Sequence, residues 1–219
     1  MFDKLLEVLH GRKVSAQPVT APLRWIVLDT ETSGLSLWKD HLISIAAVAV
    51  VSEPGFRRAR IVLADRFEVI LHQARPTRRK DNILIHHIGV DAQRTGQDPV
   101  ESLGRFAVWM GDAPVFAFHA PFDRAMIARA FKSQDLPAMR NTWVDVAAMA
   151  SWIRRDTVSV SLDDRLREFG LECFERHQAS ADMFATAELL LRMLPDVRKQ
   201  TASFNEMVRF CADNARPVL

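Results

Sequence analysis

At 219 residues, with 48% hydrophobic and 26% charged side chains, the chain can bury one sizeable core. Its longest apolar run, Ile45 to Val51, is strand-sized and too short to span a bilayer, so no membrane partner is expected. The formal charge of +2 permits a nucleic-acid partner without arguing for one. Cys173 and Cys211 stand far apart and outside C-x-x-C spacing, which points to neither a disulfide framework nor a zinc site and fits a reducing cytoplasm.

In chain order, Phe2, Leu5, Leu6 and Leu9 recur at helical spacing up to Gly11. No basic region precedes a clean apolar stretch, so this is not read as a secretory signal. Val14 to Pro22 reads as a linker. The expected division is therefore an N-terminal helix and linker over 1–22, a main domain over 23–195, and a C-terminal helical tail over 196–219.

Trp25 to Leu28 is a run of four large apolar residues, the pattern of a strand buried on both faces. It leads into Asp29-Thr30-Glu31-Thr32-Ser33-Gly34-Leu35. Residues i and i+2 of a strand share a face, so Asp29 and Glu31 converge while Thr30 points away. Two carboxylates there repel each other and are costly to desolvate, and a hard divalent cation such as Mg²⁺ takes oxygen ligands of this kind. Gly34 then breaks the strand where a substrate backbone can approach. An isolated D-x-E, though, reads better as an acidic turn after a core strand, and the decision rests on what lies downstream.

Leu42 to Val51 predicts a second strand, Ser52-Glu53-Pro54-Gly55 a turn, and Ala59 to Leu71 a third strand, giving an antiparallel hairpin in a mixed sheet. Arg57, Arg58, Arg60, Arg75, Arg78, Arg79 and Lys80 flank the third strand, either as solvated loop charge or as a rim that steers phosphate. A helix is expected over Val100 to Trp109 and a fourth strand over Pro114 to Phe118. His119-Ala120-Pro121-Phe122-Asp123 then opens a helix to about Phe131, with Pro121 suited to its first turn. Asp123 sits at a strand's end, where ligands gather in open α/β sheets, although helix capping alone also favours an acid there. A fifth strand over Asn141 to Asp145 leads into a helix to about Arg155, and Ser161 starts another that ends near Gly170.

His177-Gln178-Ala179-Ser180-Ala181-Asp182 opens the last long helix, expected to end at Pro195. Phe184, Ala187, Leu190, Leu191 and Leu194 make its core stripe, and Asp182 lies off that stripe. His177 precedes the helix and can lean over whatever Asp182 binds. Beyond it, Phe204, Met207, Val208 and Cys211 predict a short amphipathic helix.

Taken together, D-x-E in the first strand, F-D at a helix start and H-x-A-x-x-D opening a late helix resemble the DEDDh family of 3′-to-5′ exonucleases, which includes the proofreading epsilon subunit of bacterial replicative polymerases. The resemblance runs from about Leu23 to Leu194. It departs from the family at Phe118-His119, where many members read His-Asn, and at Ile85-His86-His87-Ile88-Gly89, where many read I-H-G-I-T. It implies an α/β, ribonuclease-H-like fold: a five-stranded mixed sheet flanked by helices.

The resemblance also implies that Asp29, Glu31, Asp123 and Asp182 hold two divalent cations, Mg²⁺ or Mn²⁺, and that His177 is the general base. Phosphodiester hydrolysis needs an activated water and a stabilised leaving oxygen, and a two-cation site meets both needs. An imidazole titrates close to neutrality, as a base at that pH requires. The chain has no tyrosine, which excludes the tyrosine-using branch of the family. Thr30, Thr32, Ser33, Gly34 and Leu35 are implied to grip the 3′ end, with Leu35 as a wedge against the terminal base. The expected activity is removal of nucleotides from single-stranded or frayed DNA 3′ ends. The alternatives are the same chemistry on RNA, or a polymerase-associated module without turnover. Gln200 to Phe204 faintly resembles the peptides that bind sliding clamps but lacks their central aliphatic residue, so packing of the tail on its own domain is expected, with a polymerase subunit or sliding clamp as the alternative partner.

Overall fold

The computed structural model describes residues 23–155, 161–173, 177–201 and 203–214; the expected opening helix and linker lie outside the described residues. The central strand is β1 (Leu23–Thr32). It pairs antiparallel with β2 (Leu42–Ser52) and parallel with β4 (Val115–Ala117). β3 (Ala59–Ile70) extends the sheet antiparallel to β2, and β5 (Trp143–Asp145) extends it parallel to β4. The order β3-β2-β1-β4-β5 is the five-stranded mixed sheet that the hairpin and the two short buried runs predict.

The helices are α1 (Lys80–His86), α2 (Val90–Arg94), α3 (Pro99–Met110), α4 (Ala120–Ser133), α5 (Val146–Arg154), α6 (Leu162–Glu168), α7 (Ala179–Gln200) and α8 (Phe204–Asn214). They cover both faces of the sheet, and that is why β1 reads as an unbroken apolar run rather than an alternating one. Trp25 and Val27 face a core built with α5, α6, α7 and α8; Ile26 and Leu28 face a second core built with α3 and α4. All four are fully buried. Burial of side chains this size is worth roughly 1.5–3 kcal/mol apiece, which fixes β1 in place from both sides.

Two expectations are corrected. The last long helix does not stop at Pro195: α7 runs through it to Gln200. Val197, past the proline, is fully buried in the same core as Leu190 and Met193, and that packing offsets the single backbone hydrogen bond a proline forfeits. The core face of α7 is also wider than the expected stripe. Met183, Thr186, Ala187, Leu190, Met193, Leu194 and Val197 are buried, whereas Phe184 and Leu191 are only half-buried.

The tail folds back on its own domain. Met207 and Cys211 of α8 are buried in the α7-side core. Phe204, the aromatic of the clamp-like peptide, has its ring 6.1 Å from Trp25 and 6.4 Å from Phe116. Neither cysteine is in a disulfide. Among the described residues, no helix is long and apolar enough to cross a membrane.

Candidate active site

The site forms at the carboxyl ends of β1 and β4. Asp29 and Glu31 continue the face of β1 that carries Trp25 and Val27, the face covered by α7. Asp182 lies in the first turn of α7 and is buried, with 6% of its surface exposed. One carboxylate oxygen, Oδ2, accepts the backbone N–H of His177 at 3.2 Å. His177 itself is exposed and has left-handed backbone (φ 64°), so the chain turns sharply just ahead of the helix.

Asp123 enters from α4, after β4, and is 5% exposed. Thr30 projects to the opposite face of β1 from Asp29 and Glu31, and its hydroxyl donates to Asp123 Oδ1 at 2.7 Å. The Thr30 hydroxyl therefore orients a carboxylate. The Phe118-His119 departure has a local reason. His119 caps α4 with φ 62°, a left-handed conformation for which His, like Asn, is enriched.

Asp145, at the end of β5, escaped the sequence reading. It accepts from the backbone N–H groups of Ala147 (2.9 Å) and His119 (3.1 Å), tying the α5 cap to the turn before Asp123. A carboxylate ending a short buried strand before a helix was the available signal, the same one that marks Asp123. Burial drives the Asp145 carboxyl upward from the ordinary carboxylate range. Burial also pushes Asp123 up to about 7, opposed by the Thr30 hydrogen bond and reinforced by the nearby Asp145 charge.

That shift has a measurable sign. A carboxyl whose folded pKa exceeds its unfolded one favours folding while protonated and loses that benefit as pH rises from the unfolded value toward about 7. In metal-free protein, Asp123→Asn should therefore melt above wild type at pH 8, by the equivalent of on the order of 2–4 kcal/mol. The difference should close as pH falls toward 4. Thermal melts of both proteins in chelator across that range give the check.

The loop after β1 is braced. The Thr32 hydroxyl donates to the Gly34 carbonyl (2.8 Å), and the Ser33 hydroxyl donates to Asp40 (3.0 Å). Asp40 also accepts the Ser36 backbone N–H (2.8 Å), and Asn82 of α1 donates to the Thr32 carbonyl (3.0 Å). Leu35 is left 85% exposed. A Cβ on Gly34 would stand 2.5 Å from Asp40 Oδ2 and 2.9 Å from the Arg79 guanidinium. Gly34→Ala should displace this loop and raise KM for a 3′ end by about tenfold or more, with a smaller change in kcat. Steady-state kinetics on an end-labelled oligonucleotide would show it.

The residues suit hard cations in their chemistry. All four side chains are oxygen donors, two of them are buried acids, and the buried hydroxyl of Ser44, directly across the ladder from Glu31, has no protein hydrogen-bond partner. The side chains are spread across three elements, and no three His, Cys, Asp or Glu among the described residues are drawn close enough to hold a metal ion. His86 is buried between Asn82 and the Ile88 backbone, and His87 ends α1.

Comparison with known proteins agrees with this architecture. The RNase_T exonuclease family model matches residues 26–190. The DNA polymerase III PolC-type proteins of Bacillus cereus and Bacillus subtilis are each 28% identical, over 195 and 185 residues, or 88% and 83% of this chain. The chain spans only 13% and 12% of those relatives' lengths. Among solved structures, Escherichia coli exonuclease I in complex with a dT13 oligonucleotide superimposes with a TM-score of 0.65 at 16% identity, over 78% of this chain and 41% of that one. Exonuclease X in complex with 5′ overhanging duplex DNA gives 0.61 at 22% identity, over 86% of this chain and 99% of that one. Strand order, the D-x-E strand, and the F-D and H-x-A-x-x-D helix starts thus occur together in a chain whose residues 26–190 fit one family: it belongs to the RNase_T exonuclease family, of the DEDDh type.

Proposed function

We propose that this domain removes nucleotides from the 3′ end of single-stranded or frayed DNA, with Asp29, Glu31, Asp123 and Asp182 as ligands for two divalent cations, Mg²⁺ or Mn²⁺. The observation that carries the reading is the convergence on the end of β1. Asp29 and Glu31 lie on the face of β1 that α7 covers, Asp182 is in the first turn of α7, and Asp123 is held to the same strand by Thr30. When bound, such cations polarise the phosphodiester and stabilise charge on the oxygens that attack and leave. The chain's own residues do the rest. The carboxylates set where the scissile phosphate lies, Thr30 and Asp145 keep Asp123 and its turn oriented, and Ser33, Gly34 and Leu35 receive the terminal nucleotide. His177, anchored through its backbone N–H to Asp182, takes the proton from the attacking water.

The preference for DNA is supported by the names of the relatives, which are DNA polymerases, and by neighbours crystallised with DNA. The test is degradation of 5′-labelled DNA and RNA of equal sequence with free 3′ ends, beside 3′-protected controls, with Mg²⁺ or Mn²⁺. A ladder shortening from the 3′ end on DNA is expected. Preference for RNA would move the proposal to exoribonuclease, and no cleavage with either ion would leave a polymerase-associated module without turnover. The domain boundaries and a cytoplasmic location belong to the same proposal, and a polymerase subunit or sliding clamp would have to engage the outer side of α8, whose inner side is packed on the domain.

A further inference from the structure

A second cleft adjoins the site on the face of the sheet away from α7. It encloses about 880 Å³ between the loop after β1, the end of β3 and the second half of α4, within the range of roughly 300–1,000 Å³ typical of ligand clefts. Two of the elements that build it are continuous with the candidate site: the loop follows β1, which carries Asp29 and Glu31, and α4 carries Asp123 in its first turn. Arg75, Arg129 and Lys132 line it against a single carboxylate, Asp40, whose oxygens are engaged by Ser33 and Ser36.

Trp38 stands at this cleft with 89% of its surface exposed. An indole so exposed is unusual, because burying it is worth several kcal/mol. It is not loose. The Arg129 guanidinium donates to the Leu37 carbonyl, to the Asp40 carbonyl (2.9 Å) and to the Trp38 carbonyl (3.3 Å). The backbone on either side of Trp38 is thus clamped to α4 while its ring is held out toward solvent. A positively charged cleft with a fixed, outward aromatic is the arrangement that binds single strands: bases stack on the ring whatever their identity, and cations track the phosphates.

We propose that Trp38 is a base-stacking platform for the single strand leading into the site, with Arg75 and Lys132 contacting its phosphates. This rests on the nucleic-acid reading above and specifies where the strand lies upstream of the hydrolysed end. It also gives Arg75, one of the basic residues flanking β3, a phosphate to meet. Arg129 is a positioning residue, acting through the loop rather than on the strand.

The test uses the full chain with Ca²⁺ in place of Mg²⁺ and a fluorescent oligothymidylate of about ten nucleotides, read by anisotropy. Trp38→Ala should raise Kd roughly 5- to 150-fold, the usual worth of one stacked base. Trp38→Phe should recover most of that loss. The double variant Arg75→Glu, Lys132→Glu should weaken binding more at low salt than at high salt, lowering the salt slope by about one for each phosphate no longer neutralised. A Trp38→Ala protein binding within about twofold of wild type overturns the proposal, as does a loss that Phe leaves unrepaired in a variant with wild-type melting temperature. Because binding is read without turnover, the two readings fail separately. A chain that binds through Trp38 but degrades nothing sinks the catalytic reading, and one that degrades DNA with Trp38→Ala binding unchanged sinks the platform.

Discussion

Replacing Asp29 by Ala, or Asp182 by Asn, is expected to reduce exonuclease turnover by on the order of 10³-fold or more, since under the proposed two-cation reading each change removes a charged ligand of cations that would supply several kcal/mol of transition-state stabilisation. The two substitutions are chosen for different reasons. Asp29 lies on the central strand among residues packed from both faces, so a structural role would show as lost stability in Asp29→Ala. If its role is electrostatic, metal-free Asp29→Ala should melt no lower than wild type, because one of several clustered negative charges has gone. Asp182 accepts the backbone N–H of His177, and Asn keeps an oxygen for that bond while losing the charge. An Asp182→Asn enzyme that retains near-normal turnover would remove Asp182 from the ligand set. Titration calorimetry with Mn²⁺ on each variant separates loss of metal from loss of chemistry.

His177→Ala should keep metal and DNA binding, because the four carboxylates remain, while turnover falls by on the order of 10²–10⁴, the usual worth of a positioned base. The imidazole accepts a proton only when neutral, so the wild-type pH–rate profile should carry an acidic limb, and that limb should flatten in the variant. Two structural features make the outcome informative. His177 is exposed and sits on a left-handed turn, so removing its side chain creates no cavity. Its link to Asp182 runs through the backbone N–H, which alanine preserves. Asparagine tolerates the same left-handed backbone, so a fall in activity shared by His177→Ala and His177→Asn reports on the imidazole itself. Near-normal turnover with an unchanged acidic limb would take His177 out of the mechanism.

Much of the framework that places the candidate residues was legible in the sequence because its determinants are local. A continuous apolar run marks a strand buried on both faces, strand periodicity puts Asp29 and Glu31 on one side of it, and proline beside a strand end marks the helix that carries Asp123. Ser161 as a cap and the fifth short strand follow from the same short-range chemistry. Periodicity failed where burial outweighed it. Val197 in the core carries α7 past Pro195, which local propensity alone would have made a terminus. Helices α1 and α2 went unread because a seven-residue and a five-residue helix show too few turns for a repeat to stand out.

What only the tertiary structure decided are the links between residues far apart in the chain. Thr30 meets Asp123 across 93 positions, and Arg129 reaches the carbonyls of the loop after β1 across about ninety. Asp145 is brought beside the turn of His119 by β4–β5 pairing. No periodicity encodes these contacts. They arise because the sheet places the carboxyl ends of β1, β4 and β5 side by side, so that side chains chosen for local reasons on separate strands become neighbours. Residue types and faces are properties of the chain within a few positions. The partners that hold Asp123, clamp the loop and keep Trp38 in the open are properties of the packed sheet.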